Sequence, residues 1–191
     1  QFTYTAAYID KTGLRLDSMY TYSNTSTAGG HSLQKHKSSA GTTYLLAGCG
    51  SNIFEYRESL GLWEVIKTGL TSGTRFDSVM FKDIMYITNG TDNYMSYNGT
   101  LVTEYAGTPK GKYLRVANDI GYMAGVAADP SLLYYTAASP ANLQTYGSNE
   151  PVNEDDGQNI TGLDTVGPLV VVFKERSSYI YNVSASTITN T

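Results

Sequence analysis

The sequence lacks most of the features that would point directly to a chemistry or a compartment. It has one cysteine, Cys49, so an internal disulfide framework is excluded. Charged residues make up 16% of the chain and the net charge is −4, which argues against a nucleic-acid binder that relies on a basic stripe. The apolar run Leu169 to Phe173 has only the length of a strand, far below the roughly 20 residues of a membrane helix. No signal-peptide pattern is present.

Enzyme motifs are missing as well. The chain contains no G-x-S-x-G elbow and no H-E-x-x-H helix, and its two histidines, His31 and His36, have no second cysteine to complete a zinc site. The sialidase-type Ser-x-Asp-x-Gly-x-Thr-Trp box and the Trp-Asp dipeptide of the WD40 class are also absent. We therefore predict that the protein is not an enzyme and that it has no catalytic, cofactor-binding or metal-binding residues.

What the chain does have is tyrosine, glycine and small polar residues. It contains 17 tyrosines and 19 glycines, a balance typical of all-β proteins with many turns. No window keeps the i, i+3, i+4, i+7 apolar pattern of a capped helix.

A strand–turn–strand–turn unit over Phe81 to Thr100 organises the rest of the chain. Its strands are predicted at Ile84 to Thr88 and Tyr94 to Tyr97, and Asn-Gly pairs follow both of them. The unit recurs with anchors about 42, 36 and 49 residues apart, near the repeat length of propeller blades. The anchors and the aromatic strands that follow them are Tyr44 with Ile53 to Tyr56, Tyr86 with Tyr94 to Tyr97, Tyr122 with Leu132 to Tyr135, and Leu169 to Phe173 with Tyr179 to Tyr181.

The repeat predicts an all-β fold, a β-propeller or partial propeller of antiparallel blades with about four repeats. Residues 1–40 are expected to form N-terminal strands and a polar loop that could complete a blade, and residues 41–191 the propeller-like repeats. The repeats are predicted over about 41–74, 75–112, 113–160 and 161–191. Because an open sheet edge is normally covered, we expect the sequence to be a fragment of a longer chain.

Three short segments could have a binding or catalytic role, but for each of them a purely structural role is favoured. The basic stretch His31 to Lys37 could contact phosphate or an acidic partner, but it also fits a solvated strand. Cys49 could be a nucleophile, yet no base is marked beside it, which favours a small turn residue. The segment Gly107 to Lys112 departs from the spacing of a phosphate loop and is predicted to be an inter-blade turn.

The acidic loop that ends in Glu154-Asp155-Asp156 could bind calcium through its carboxylates, although it does not fit an EF-hand loop, so a metal there stays open. Five Asn-x-Ser/Thr sites look like glycosylation acceptors, but such sites are expected by chance in an Asn/Thr/Ser-rich chain, and two already serve as turn residues. They are Asn24, Asn89, Asn98, Asn159 and Asn182.

The repeats resemble the β-propeller domains of bacteriophage tail proteins, the nozzle, hub and stabilisation subunits of short-tailed phages. The likeness runs from about Thr42 to Asn182 and is carried by Gly41 to Gly48, Ile53 to Tyr56, Trp63, Arg75-Phe76, Tyr86 to Asp92, Tyr97 to Gly99 and Asp129 to Thr136, with Ser139-Pro140 and Tyr179 to Tyr181 after them. The resemblance implies a virion subunit that assembles with copies of itself and with other tail proteins around a DNA channel. DNA would pass without sequence-specific contact.

The leading functional hypothesis is therefore a structural component of a virion tail that acts through protein–protein interfaces, with exposed tyrosines as contact residues. The alternative is a lectin-like propeller that binds a carbohydrate or receptor, with Trp63, tyrosines and asparagines lining sugar sites between blades. A propeller hydrolase is a third hypothesis and would need two carboxylates that converge in the central channel.

Overall fold

The computed structural model describes residues 8–10, 13–15, 30–182 and 187–190. The chain divides into two compact units, one of residues 1–35 and 44–74 and the other of residues 36–43 and 75–191. The strands are β1 Tyr8–Asp10, β2 Gly13–Arg15, β3 Gly30–Lys37, β4 Thr43–Cys49, β5 Asn52–Arg57, β6 Leu62–Lys67, β7 Asp77–Phe81, β8 Ile84–Thr88, β9 Tyr94–Tyr97, β10 Val102–Tyr105, β11 Tyr113–Ala117, β12 Ile120–Ala124, β13 Leu132–Tyr135, β14 Ser148–Pro151, β15 Ile160–Val166, β16 Leu169–Lys174, β17 Ser178–Asn182 and β18 Thr187–Asn190.

The second unit contains three four-stranded sheets, β7–β10, β11–β14 and β15–β18, in which each strand pairs with its sequence neighbour. The sheet β3–β6 has the same order and lies in the first unit, except for the β3–β4 turn and its flanks at 36–43. Such up-and-down four-stranded sheets are the blades of a β-propeller. The predicted fold class is thus confirmed. The short strands β1 and β2 form an antiparallel pair.

Turn chemistry explains why the repeat is visible in the sequence. The two-residue turns Lys82-Asp83 and Asn118-Asp119 have positive φ at both positions, as in a type I′ hairpin, which matches the right-handed twist of the strands. The Asn-Gly pairs do not form two-residue hairpin turns of this kind. Asn89 and Asn98 open longer loops, and each uses its side-chain Oδ1 to accept two backbone N–H groups from the loop. In each pair only the glycine, Gly90 or Gly99, adopts a positive φ.

The core of the second unit lies between its sheets. Sheets β7–β10 and β11–β14 meet around Tyr86, Tyr94, Leu114 and Met123, each 0% exposed. Sheets β11–β14 and β15–β18 meet around a second cluster, whose members are at most 5% exposed. Its members are Ala117, Tyr122, Ala124, Leu133, Val152, Ile160, Leu163, Val170, Val172, Tyr179 and Tyr181. In sheet β11–β14, alternate residues of a strand therefore face opposite neighbouring sheets, which is why its strands carry apolar residues on both faces.

Strand β14 is not predicted by the sequence pattern. The segment expected to be the acidic loop contains the edge strand β14, and its acidic end Glu154–Asp156 forms a single 3-10 turn. The strand sequence Ser-Asn-Glu-Pro has no β-forming residue, and proline is tolerated there because β14 is an edge strand. Among the described residues no helix is long and apolar enough to cross a membrane.

Candidate functional site

The acidic loop encloses a positive charge from the chain itself. The Lys174 ammonium is fully buried and donates to the backbone oxygens of Val152 at 2.6 Å and Asn153 at 2.9 Å, and to Asp156 Oδ1 at 2.7 Å. Oxygen ligands of this kind are what a hard cation would use, so the lysine takes the place that a calcium ion would need. Among the described residues no group of three or more His, Cys, Asp or Glu side chains is arranged to hold a metal.

The carboxylate of Asp156 is the electrostatic partner of this lysine. It also accepts hydrogen bonds from the Gln158 backbone N–H at 2.9 Å and the Tyr179 hydroxyl at 3.4 Å. The hydrogen bond from Lys174 is the main reason that the pKa of Asp156 is lowered from 3.8. Glu154 and Asp155 remain exposed. The arrangement ties the loop after β14 to strand β16 and is structural in kind.

The basic stretch of β3 does not form one site. Because the two histidines are five residues apart on a strand, they lie on opposite faces. His31 Nε2 lies 3.2 Å from the Gly50 backbone oxygen, and His36 Nε2 lies 2.7 Å from Ser78 Oγ. Burial lowers the pKa of His36 from 6.5, although the nearby Asp77 carboxylate opposes the shift. A shared phosphate site is therefore not assembled from these two side chains.

The glycine-rich segment 107–112 connects β10 to β11 and is closely packed. Thr108 is buried and donates from Oγ1 to the Gln144 backbone oxygen at 2.8 Å. A Cβ on Gly111 would lie 2.3 Å from Met123 Cγ and 2.8 Å from the Ala124 backbone oxygen. The glycine is thus required by a close approach between chain segments. The placement agrees with the predicted link between blades.

The remaining sequence candidates have local structural roles. Cys49 is half-buried at the end of β4, opposite Asn52, where the chain turns into β5. The Asn89 side chain is buried and donates from Nδ2 to a carboxylate three residues on, at 2.7 Å, which makes it a poor glycosylation acceptor. Asn98 and Asn159 are exposed and Asn182 is half-buried in β17. Asn24 lies outside the described residues.

The tyrosines between positions 30 and 182 are buried or half-buried, so the fully exposed contact tyrosines that the sequence suggested are not found in this part of the chain. No tyrosine between positions 30 and 182 is exposed, and Tyr86, Tyr94, Tyr97 and Tyr122 are at most 1% exposed. They pack on one another: the Tyr86 and Tyr94 rings are stacked at 5.9 Å, and Tyr122 meets Tyr181 edge-on at 5.9 Å. Burial raises the pKa of Tyr94 well above 10.0.

The carboxylates on the first strands of the blades are paired. Asp77 on β7 lies 2.8 Å from Arg115 Nη1, and Asp164 on β15 lies 3.6 Å from Arg115 Nε. One guanidinium thus contacts both carboxylates and links the first strands of three neighbouring hairpins, β7, β11 and β15.

Apolar residues are instead exposed on one face of sheet β3–β6. Trp63 is 38% and Val65 40% exposed on β6, where they lie opposite Tyr56 and Phe54 of β5. The Trp63 and Tyr56 rings are 5.4 Å apart. We call this surface, with Leu45 and Ala47 of β4, the β3–β6 apolar face. Exposed aromatic and aliphatic side chains that lie together on one face of a sheet are typical of an interaction surface.

A second such surface lies on sheet β15–β18. Phe173 is 43% and Val166 65% exposed, and they share a face with the half-buried Leu169, Val171 and Ile180. We call this surface the β15–β18 apolar face. The opposite face of the same strands is buried against sheet β11–β14. The two apolar faces are the strongest candidates for a functional site in the described residues.

A shallow cavity of about 360 Å³ lies where the chain runs from β13 to β14. It is lined by small and polar residues, among them Pro140, Asn142, Thr145 and Ser148. No titratable side chain lines it. It has the polarity to accept a small polar group but lacks the convergent charges of a catalytic pocket.

Comparison with known proteins does not assign the chain to a family. No protein-family model matches the sequence, and no curated protein matches it with significant similarity. The functional argument therefore depends on the residues and surfaces described above.

Proposed function

We propose that the protein is a structural component of a virion, a subunit of a phage tail of the nozzle, hub or adaptor type that acts through protein–protein interfaces around a DNA channel. The observation that carries the proposal is the pair of exposed apolar sheet faces, one on β3–β6 and one on β15–β18. Sheet faces of this composition are normally covered, and an assembly would cover them. The resemblance of the repeats to tail propellers supplies the biological setting.

The charge of the chain agrees with this role. A net charge of −4 gives no general attraction for the phosphate backbone, so DNA would pass without being held. The partners in this proposal are copies of the same chain and neighbouring tail proteins, and the location is the virion.

Negative-stain electron microscopy of the purified protein, combined with a DNA retention assay, tests the proposal. We expect ring or arc-shaped assemblies and no retention of duplex DNA at physiological salt. Uniform single-chain particles would argue against a tail subunit. Tight binding of duplex DNA would contradict the proposed passive channel.

A second function, a carbohydrate-binding propeller, is favoured by one observation. Trp63 is exposed beside Tyr56, and an accessible indole face suits the apolar face of a sugar ring. A glycan array with the wild-type protein and with Trp63→Ala tests this function. Leu60→Ala is the matched control, since Leu60 is exposed on the neighbouring turn. Binding that Trp63→Ala abolishes and Leu60→Ala retains would favour the lectin, whereas an empty array would exclude the glycans tested.

A further inference from the structure

The repeats allow equivalent positions to be compared from sheet to sheet. Within the second unit, the third residue of the second strand is Tyr86 in β8, Tyr122 in β12 and Val171 in β16. Tyr86 packs against the following sheet, in the cluster that contains Leu114, and is 0% exposed. Tyr122 packs against the following sheet in the same way and is 1% exposed. The face that carries this position therefore receives the next blade.

We call the face of a sheet that packs against the following sheet its next-blade face, and the opposite one its preceding-blade face. The β15–β18 apolar face carries the equivalent strand position and is apolar like the next-blade faces of β7–β10 and β11–β14, but it is not buried. Val171 is half-buried there, and Phe173 and Val166 of the same face are 43% and 65% exposed. In the second unit, each buried next-blade face packs against the preceding-blade face of the following sheet. The surface that fits the β15–β18 apolar face is therefore the preceding-blade face of another four-stranded sheet. The occupant is thus specified as a blade of this kind.

The β3–β6 apolar face is such a preceding-blade face. In β12 the fourth residue, Met123, is fully buried against the preceding sheet. The repeat aligns Leu45 of β4 with Met123, and Leu45 lies on the face that exposes Val65 and Trp63. This face therefore has the pattern that a next-blade face accepts, and it too is exposed.

Charge also matches at the first strands. Asp164 of β15 has a side chain 67% exposed on the β15–β18 apolar face. On β3, the first strand of the other sheet, alternate residues are exposed, and these include Leu33 and Lys35. First strands of neighbouring sheets lie side by side in the second unit, as β11 does with β7 and β15. The same arrangement would bring the carboxylate near a lysine.

We propose that the β15–β18 apolar face of one copy docks on the β3–β6 apolar face of a second copy, continuing the blade-on-blade packing from one chain to the next. The contact is heterologous, head to tail, so repeated docking produces a ring where the rotation closes. The inference deepens the proposed function and rests on it, because it identifies the surface through which the subunit assembles.

The experiment uses the 191-residue chain with one reactive cysteine per variant, in a Cys49→Ser background. Val65→Cys marks one face and Phe173→Cys marks the other. The two proteins are mixed and treated with a short bismaleimide cross-linker, and a third variant, Thr103→Cys, provides an exposed control on β10. We expect the 65–173 heterodimer to exceed either homodimer and the control pairs. Phe173→Glu is expected to weaken self-association about tenfold or more, as for a central anchor of an interface.

The outcomes separate the inference from the proposed function. Self-association that persists in Phe173→Glu, with no preference for the 65–173 pair, would overturn the inference and leave an assembly function standing. Monomers at all concentrations would overturn both. A double variant with Val65→Cys and Phe173→Cys that cross-links only within single chains would also overturn the inference, because the faces would then close on each other without a second copy. A charge exchange, Asp164→Lys with Lys35→Glu, should restore association that either change alone weakens.

Discussion

The buried ammonium of Lys174 links strand β16 to the loop after β14, and replacing it tests how much this contact stabilises the fold. Lys174→Met keeps the aliphatic length of the side chain but removes three hydrogen bonds, to the backbone oxygens of Val152 and Asn153 and to Asp156 Oδ1. Val152 is 0% exposed, so its carbonyl group has little access to replacement water. We expect the free energy of unfolding to fall by about 2–4 kcal/mol, the usual cost of leaving buried acceptors without a charged donor.

The assay is urea denaturation followed by circular dichroism, with the midpoint and the slope compared between variants. Lys110→Met is the matched control because Lys110 is exposed on the β10–β11 link and should change stability little. Asp156→Asn should cost less than Lys174→Met, since an amide oxygen still accepts from the ammonium. A Lys174→Met protein within about 0.5 kcal/mol of wild type would refute the reasoning, because a change that small is typical of surface positions.

Three further predictions concern stability. Burial lowers the pKa of folded His36 from 6.5, so the stability that neutral His36 contributes should be fully present above pH 6.5 and fall as the pH drops below it. His36→Gln should flatten this pH dependence in denaturation curves measured at several pH values. Gly111→Ala should destabilise by about 1–3 kcal/mol through its clash with Met123, whereas Gly107→Ala, which meets nothing within 4 Å, should be nearly neutral in the same assay. Asp119→Gly should stabilise by up to about 1 kcal/mol, because position 119 has a φ of 55° that glycine adopts without strain, and an unchanged or lower melting temperature would contradict this.

The repeat could be found from the sequence because its signals are local. The β-branched and aromatic residues of Ile84 to Thr88 and Tyr94 to Tyr97 predicted strands with the observed bounds. The matching segments Lys82-Asp83 and Asn118-Asp119 are the type I′ turns of equivalent hairpins. The edge strand β14 could not be found, because it pairs through its backbone and its residues do not favour strands.

The functional surface was harder to predict, because burial depends on contacts that are distant in sequence. Tyrosine suits both an interface and a core, and only the packing of blade on blade shows that Tyr86 and Tyr122 are interior. The ammonium of Lys174 reaches carbonyl groups some twenty residues away, so the acidic loop could be interpreted as a calcium site. The exposed Trp63 and Phe173 differ from core aromatics only in that no described blade covers them.

The most direct test of the account is the mass of the wild-type protein in solution, measured by light scattering over a wide concentration range beside Phe173→Glu. We predict that the wild-type mass rises with concentration to a discrete multiple of the 20.8 kDa chain, and that the variant reaches the same mass only at about tenfold higher concentration or above. A wild-type protein that keeps the mass of one chain at every concentration would contradict assembly through the exposed sheet faces.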